Sequence, residues 1–362
     1  MKKIIKLFDP FIGKEEEHAL THTLKSHFWA YGGGTGKVAE FESKFCKYTG
    51  SDECVAVSNG TAALHLALSL IDIKGKEVIL PSLSFVSTAH AVVYNGGKPI
   101  FADIDPHTLC LDPQMIKKLI TKKTRVILPV HYAGTPCDLE QISEICKQHD
   151  IILMEDAAHA AGSTYKNKKI GRHGTAVCFS FHPTKNLAMP TGGAITLNGK
   201  ESKKFKEVLK AKRWCGIANR DGPKYDVVNL GWNYYMSEFS AAIGIIQLKK
   251  LEMMNNKRKE IAKRYSNEIE LKEKMKFLKN CSYHLYWIIV KNQEEFMRKM
   301  KENNIETGIH YIPIHKMQFY KGNHNLPITE KIAKNIVSIP IHPNLSESDV
   351  DKIIKLTNRL VK

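Results

Sequence analysis

Residues 155–193 read EDAAHAAGSTYKNKKIGRHGTAVCFSFHPTKNLAMPTGG, and this stretch decides the fold. It opens at the end of an apolar run, Ile151-Ile152-Leu153-Met154, with Glu155-Asp156. A second apolar run, Ala176-Val177-Cys178-Phe179-Ser180-Phe181, leads to Lys185. Runs of this kind fit strands of a parallel sheet covered on both faces. An acid and an amine at the ends of two such strands suggest a pyridoxal phosphate site. Lys185 would bond the cofactor's aldehyde carbon, and Asp156 would hold the pyridine nitrogen protonated. Spacing alone fits a surface lysine and a helix-capping aspartate equally well.

The residues themselves are more specific. Asp156-Ala157-Ala158-His159-Ala160 followed by Phe179-Ser180-Phe181-His182-Pro183-Thr184-Lys185-Asn186 closely resembles the DegT/StrS family of pyridoxal phosphate-dependent sugar aminotransferases. The resemblance implies fold type I: a large domain with a mainly parallel seven-stranded sheet sandwiched by helices, and a small C-terminal α+β domain. It also implies amination of a keto-sugar carried on a nucleoside diphosphate, with L-glutamate as donor. Members replace the lysine with histidine when they dehydrate sugars, so Lys185 implies aminotransfer.

Earlier in the chain, Cys54–Val57 reads as a strand running into Asn59-Gly60-Thr61-Ala62 and a helix of small and aliphatic residues. Free N–H groups at such a helix start form an anion site, and the Thr61 hydroxyl can add a donor. In the resemblance, Gly60, Thr61 and Ala62 form the phosphate-binding turn, and Ser180 is the phosphate-binding serine. Phe85 stacks on the cofactor ring, and His159 lies near its ring hydroxyl. Asn233 reaches across a homodimer interface to the partner's cofactor, so the active sites are shared. Tyr31, His310 and Tyr311 are the candidates for substrate contacts.

Strand-like runs at 78–81, 99–103, 125–130 and 192–197 alternate with helical patterns near 15–26, 38–48, 112–120, 138–148 and from Lys203. This β–α alternation indicates a parallel sheet with its ligand at the carboxyl ends of the strands. Ser237 is the expected N-cap of a long helix. From about Lys249 the chain becomes lysine-rich, placing a domain boundary between 1–248 and 249–362. In the second part, 284–290 and 308–315 (Gly308-Ile309-His310-Tyr311-Ile312-Pro313-Ile314-His315) read as strands, the latter leading into the cleft, and 294–303 and 349–360 read as helices.

Tyr31-Gly32-Gly33-Gly34-Thr35-Gly36-Lys37 fails as a P-loop, because Tyr31 stands at the first required glycine and Val38 where Ser or Thr is needed. It reads as a flexible active-site loop. Eight scattered cysteines with no CxxC pair argue against a disulfide framework and a zinc site, and the sixteen histidines follow no metal pattern. No apolar stretch is long enough to span a membrane, and Met1–Asp9 lacks the apolar region of a signal peptide, so a cytoplasmic location is expected. The net charge of +17 reads as a lysine-rich surface that also favours an acidic substrate. A nucleic-acid regulator would need a clustered basic recognition helix, which is not evident.

Two features depart from the family's pattern. Met189-Pro190-Thr191 stands where T-G-E is usual, and Tyr235 where arginine is frequent. Both concern substrate binding, and they leave another reaction of the same cofactor, such as cyclitol amination or sugar dehydration, as the alternative. A catalytically inactive protein that holds the cofactor is a further one.

Overall fold

The computed structural model describes residues 3–361; Met1 and Lys2 of the N-terminal segment, and Lys362, lie outside the described residues. Seven strands form the central sheet: β1 (Glu53–Val57), β2 (Glu77–Pro81), β3 (Lys98–Ala102), β4 (Thr124–Ile127), β5 (Ile152–Asp156), β8 (Ala176–Ser180) and β9 (Gly193–Leu197). A short hairpin, β6 (Thr164–Tyr165) and β7 (Lys168–Lys169), intervenes. The order is β1-β9-β8-β5-β4-β2-β3, and only β9 runs antiparallel to its neighbours.

The strands are mostly apolar because helices cover both faces. On β1, Cys54 and Ala56 join one buried cluster while Val55 and Val57 join the other, as period-two alternation requires. One face carries α3 (Gly60–Leu68), α4 (Ser87–Tyr94) and α7 (Ser202–Lys212), with Leu66, Val92 and Leu209 buried. The other carries α2 (Gly36–Thr49), α5 (Pro113–Leu119) and α6 (Leu139–His149), with Phe41, Phe45, Ile116 and Ile142 buried. α1 (Lys14–Lys25) lies along α8 (Glu238–Glu268), a 31-residue helix whose N-cap Ser237 accepts from Ser240 N–H. Position 248/249 falls within α8.

An exposed hairpin, β10 (Ile217–Asp221) and β11 (Lys224–Val227), precedes α8. Beyond α8, β12 (Tyr286–Ile289) pairs antiparallel with β13 (Ile336–Ile339), packed by α9 (Gln293–Glu302), α10 (Pro327–Ala333) and α11 (Glu347–Val361). The N-terminal segment belongs spatially to this part: Ile5 bridges to Ile305 and Lys3 pairs with Asp349. The strand expected over 308–315 is not formed. Gly308 makes one bridge to Ser338, and after Pro313 the chain turns into a 3-10 helix, Ile314–Lys316, so the segment has a single point of pairing rather than a ladder.

Arg213, just past α7, is fully buried and ties three segments together. It donates to Glu42 of α2, to the Ala56 carbonyl of β1 at 2.8 Å and to the Gly33 carbonyl at 3.2 Å. Glu42→Ala leaves that guanidinium without its counter-ion, an expected loss of about 3–5 kcal/mol in denaturant unfolding. The double variant Glu42→Ala/Arg213→Met is expected to recover part of it, and a single-variant loss below about 1 kcal/mol would contradict the assignment.

Candidate active site

The carboxyl ends of β5 and β8, the start of α3 and the segments near 284 and 310 enclose a cavity of about 410 Å3. Asp156, the last residue of β5, is buried in its floor. Thr88 Oγ1 donates to its Oδ2 at 2.8 Å and Ala158 N–H to its Oδ1 at 3.1 Å, while Ser84 Oγ stands 2.8 Å from Thr88 Oγ1. Burial raises the carboxyl's pKa, opposed by these hydrogen bonds and by Lys185. For Lys185 the sign reverses: burial draws the amine down to about 8, with Asp156 pulling the other way.

Histidines surround the lysine. His284 Nε2 stands 3.3 Å from Lys185 Nζ. His159 Nδ1 accepts from Ala133 N–H at 3.2 Å, so in the neutral ring Nε2 carries the hydrogen and donates to the Tyr311 hydroxyl, 2.9 Å away. The Tyr311 O–H is thereby free to donate into the cavity. His310 bonds Ser338 Oγ through Nδ1 at 3.0 Å, and its carbonyl accepts from Tyr132 O–H. Burial and the nearby Lys185 depress all three imidazoles, His310 to about 4, so they are neutral at pH 7.

At the cavity's other end is an anion cup. Asn59 caps α3 by accepting from Ala62 N–H at 2.9 Å, which leaves the Gly60 and Thr61 amides of the first turn without intrahelical partners. Thr61 Oγ1 lies 2.7 Å from Ser87 Oγ. A Cβ on Gly60 would stand 2.7 Å from Ser180 Cβ, and one on Gly193 would stand 2.5 Å from the Asn59 carbonyl. The two glycines let β8 and β9 close against the helix start and bring the Ser180 hydroxyl to it.

Gly60, Thr61, Phe85, Asp156, His159, Ser180, Lys185, His310 and Tyr311 therefore line one cavity, although Gly60 and Tyr311 are 251 residues apart. Phe85 is at the rim, 58% exposed, with its ring 6.2 Å from that of Tyr311. Ala62 is buried behind the cup with its amide engaged by Asn59. Tyr31 packs on Trp214 outside the cavity, and Asn233 is exposed, bridged to Trp214. The loop 31–37 is held tightly there: a Cβ on Gly32 would meet the Trp214 ring. At the departure from the family's pattern, the Thr191 hydroxyl donates to the Ser58 carbonyl and Met189 is buried beside Gly192 and Gly244.

Sequence reasoning missed Thr88, His284 and Phe8. Phe8 stacks on His284 with centroids 5.5 Å apart and planes at 18°. The one available signal was a histidine at the mouth of an apolar strand, His284 before Leu285–Val290.

Pyridoxal phosphate fits these residues. The cup supplies donors for a phosphate dianion, the buried Asp156 carboxylate suits a ring N–H⁺, and Lys185 lies between with a depressed pKa. Sheet and site together define a pyridoxal phosphate-dependent enzyme of aminotransferase fold type I. The chain belongs to the DegT/DnrJ/EryC1/StrS aminotransferase family, whose sequence profile matches residues 10–357. It is similar to the spore coat polysaccharide biosynthesis protein SpsC of Bacillus subtilis, 35% identical across 98% of this chain and 96% of that one. Among solved structures it resembles the putative sugar aminotransferase Spr1654 of Streptococcus pneumoniae in its PMP form (TM-score 0.94, 26% identity, 99% of this chain and 98% of that one). It also resembles Helicobacter pylori PseC, an aminotransferase of pseudoaminic acid biosynthesis (TM-score 0.93, 27% identity, 99% of each chain). The protein is thus one of the sugar aminotransferases.

Gly60 does not have a left-handed backbone, so Gly60→Ala costs mainly the contact with Ser180. The variant is expected to fold but to bind pyridoxal phosphate about tenfold or more weakly by equilibrium titration. Its capture of the cofactor should still quicken with pH through about 8, because only the neutral amine of Lys185 is nucleophilic. The rate should level off above about pH 9; a rate still climbing about tenfold per pH unit there would contradict the depressed amine.

Proposed function

We propose that this protein transfers an amino group from L-glutamate to the keto group of a sugar carried on a nucleoside diphosphate, for a surface polysaccharide or other glycan, in the cytoplasm and as a homodimer. The observation carrying this reading is the convergence of Asp156, Lys185 and the Gly60–Thr61–Ser180 cup on one cavity. Pyridoxal phosphate, when bound, supplies the electron sink that lets a Cα–H bond of the amino donor break. The rest falls to the chain's own residues.

In this reading the cup holds the phosphate, Asp156 holds the ring nitrogen protonated, and Phe85 covers the ring from the rim. Lys185, with a pKa of about 8, has a neutral fraction at pH 7 and takes the donor's Cα proton; as the ammonium it returns a proton when the keto-sugar is aminated. His159 holds Tyr311 so that its hydroxyl donates toward a substrate oxygen, and His310 lines the same wall. The large part, 1–248, carries the cofactor site, and 249–362 supplies His284, His310 and Tyr311.

Support for a nucleotide-linked sugar comes from the roles named for SpsC and PseC and from the +17 charge, which attracts a diphosphate. A homodimer is supported by what lies outside the cavity. Asn233 is exposed beside Leu230 (82% exposed) and the apolar face of the β10–β11 hairpin, where a second copy could receive it. Tyr31 is on the same side, packed against Trp214 with the planes at 59° and with the Arg220 guanidinium over its ring.

The test is the visible spectrum of the protein with pyridoxal phosphate, before and after glutamate. The band of the lysine-bound cofactor is expected to give way to that of the amine form, and a keto-sugar nucleotide should restore it with a product of amino-sugar mass. Lys185→Ala is expected to lower turnover about a thousandfold or more. Full turnover in that variant, or a band that glutamate leaves untouched, would overturn the reading.

A further inference from the structure

A second, much smaller cavity adjoins Lys185 and His284, with room for about one water at roughly 10 Å3. Four buried polar atoms of residues lining it have no protein partner: Arg258 Nε, His284 Nδ1, Asn186 Oδ1 and His342 Nδ1. All four residues are at most 6% exposed. Arg258 comes from α8, Asn186 follows the lysine, His284 precedes β12 and His342 follows β13.

The hydrogen-bonding role of each atom is fixed by its surroundings. A guanidinium only donates. The Asn186 amide nitrogen donates to Asn255 Oδ1 at 2.9 Å and to the Ser282 carbonyl at 2.7 Å, so its Oδ1 is an acceptor. His342 Nε2 donates to the Lys6 carbonyl at 3.0 Å, and burial keeps the ring neutral, so its Nδ1 accepts. At His284, Nε2 faces the Lys185 amine, which as an ammonium can only donate. Nε2 therefore accepts, and Nδ1 carries the hydrogen. Two donors and two acceptors on residues lining a one-molecule space match the full valence of water. A chloride there would meet two acceptors.

Arg258 makes such a molecule necessary. Among the described residues no carboxylate pairs with it, and its one protein hydrogen bond is a long one, 3.4 Å to the Met254 carbonyl. Burial draws it down to about 9, so it stays charged at pH 7. A buried guanidinium with so few acceptors is costly unless something else solvates it.

We propose that one water bound between Arg258, His284, Asn186 and His342 locks His284 with its Nε2 lone pair toward Lys185, making His284 a positioning residue for the catalytic amine. The inference rests on the reading of Lys185 given above. The other titratable groups facing the amine are Asp156, His159, His182, His310 and Tyr311, with Asp9 at the edge of the small cavity. The Nε2 lone pair favours the ammonium, in the same direction as Asp156 and against burial. It also fixes where Nζ points when the lysine is free.

The test reads the titration of Lys185 in cofactor-free protein, by amine labelling across neutral to alkaline pH with the site quantified by peptide mass spectrometry. His284→Leu removes the acceptor without opening the site to water. The labelling midpoint is expected to fall, with labelling at pH 7 roughly threefold faster. His284→Gln, whose Oε1 can reach the position of Nε2, is expected to restore the wild-type midpoint. A space-filling role for His284 predicts the opposite sign, because a loosened site admits water and the midpoint climbs toward that of an ordinary lysine. An unchanged or higher midpoint in His284→Leu, or a Gln variant that behaves like Leu, would overturn the proposal. So would a crystal structure in which Arg258 pairs with a carboxylate or no water bridges the four atoms. Borohydride reduction of the cofactor-loaded protein separates the two readings. Fixation on a lysine other than Lys185 would sink the proposed function, whereas fixation on Lys185 with an unmoved midpoint would sink only this inference.

Discussion

Everything in this molecule is arranged around one opposed pair, the Asp156 carboxylate and the Lys185 amine, both held out of water. Burial pushes the two pKa values toward each other, up for the acid and down for the base, while mutual attraction pushes them apart. Neither side wins outright, and that balance is useful: a carboxylate available to a cation and an amine that is partly neutral near pH 7. The pair does not come from one segment. Asp156 ends β5 and Lys185 lies five residues past the end of the neighbouring strand β8, so the parallel register of Met154–Asp156 against Ala176–Cys178 sets their separation. A fully covered sheet is what makes that register stiff.

The cavity wall is mostly apolar, and its polar groups are nearly uncharged. His159, His284 and His310 are all held neutral, and at His159 a backbone N–H decides which nitrogen carries the hydrogen. Charge in the site is thereby confined to one acid and one amine. In a cleft with few mobile charges, each fixed dipole acts on the reacting atoms with little screening. The antiparallel strand β9 contributes here as well. Its reversal brings Gly193 against Asn59, so the cup closes only because the sheet breaks its own parallel pattern at that point.

Much of this was legible in the sequence, for identifiable reasons. Strands covered on both faces read as apolar runs, so all seven were visible, and Gly60, Thr61, Asp156, Ser180 and Lys185 lie at their carboxyl ends or just beyond. What stayed hidden depends on contacts distant in sequence. Thr88 is an ordinary helix residue until Asp156, 68 positions on, accepts its hydrogen bond. His284 matters only because Lys185 lies beside it. Gly308–His315 alternates like a strand, but alternation cannot say whether a partner strand exists, and here pairing stops after one bridge. Tyr31 and Asn233 lie outside this chain's own cavity, a placement that no property of a single chain's sequence encodes.

The N-terminal segment shows how the two ends of the chain are made to share the site. Glu16 of α1 accepts from Gln247 and pairs with Lys250, both on α8, and Gln247 also donates to the Phe11 carbonyl. Ahead of α1, Leu7 N–H donates to Glu306 and the Lys6 carbonyl accepts from His342. Anchored on both sides, residues 6–11 have little freedom except to lay Phe8 over His284. The surface charge plays no comparable part. Pairs such as Arg298–Glu302 and Lys299–Glu295 are exposed, one helical turn apart, and solvent screens them so that they contribute little. The +17 of the whole chain can draw an anionic substrate inward, whereas the geometry that would act on it is set by a few buried groups with almost no net charge.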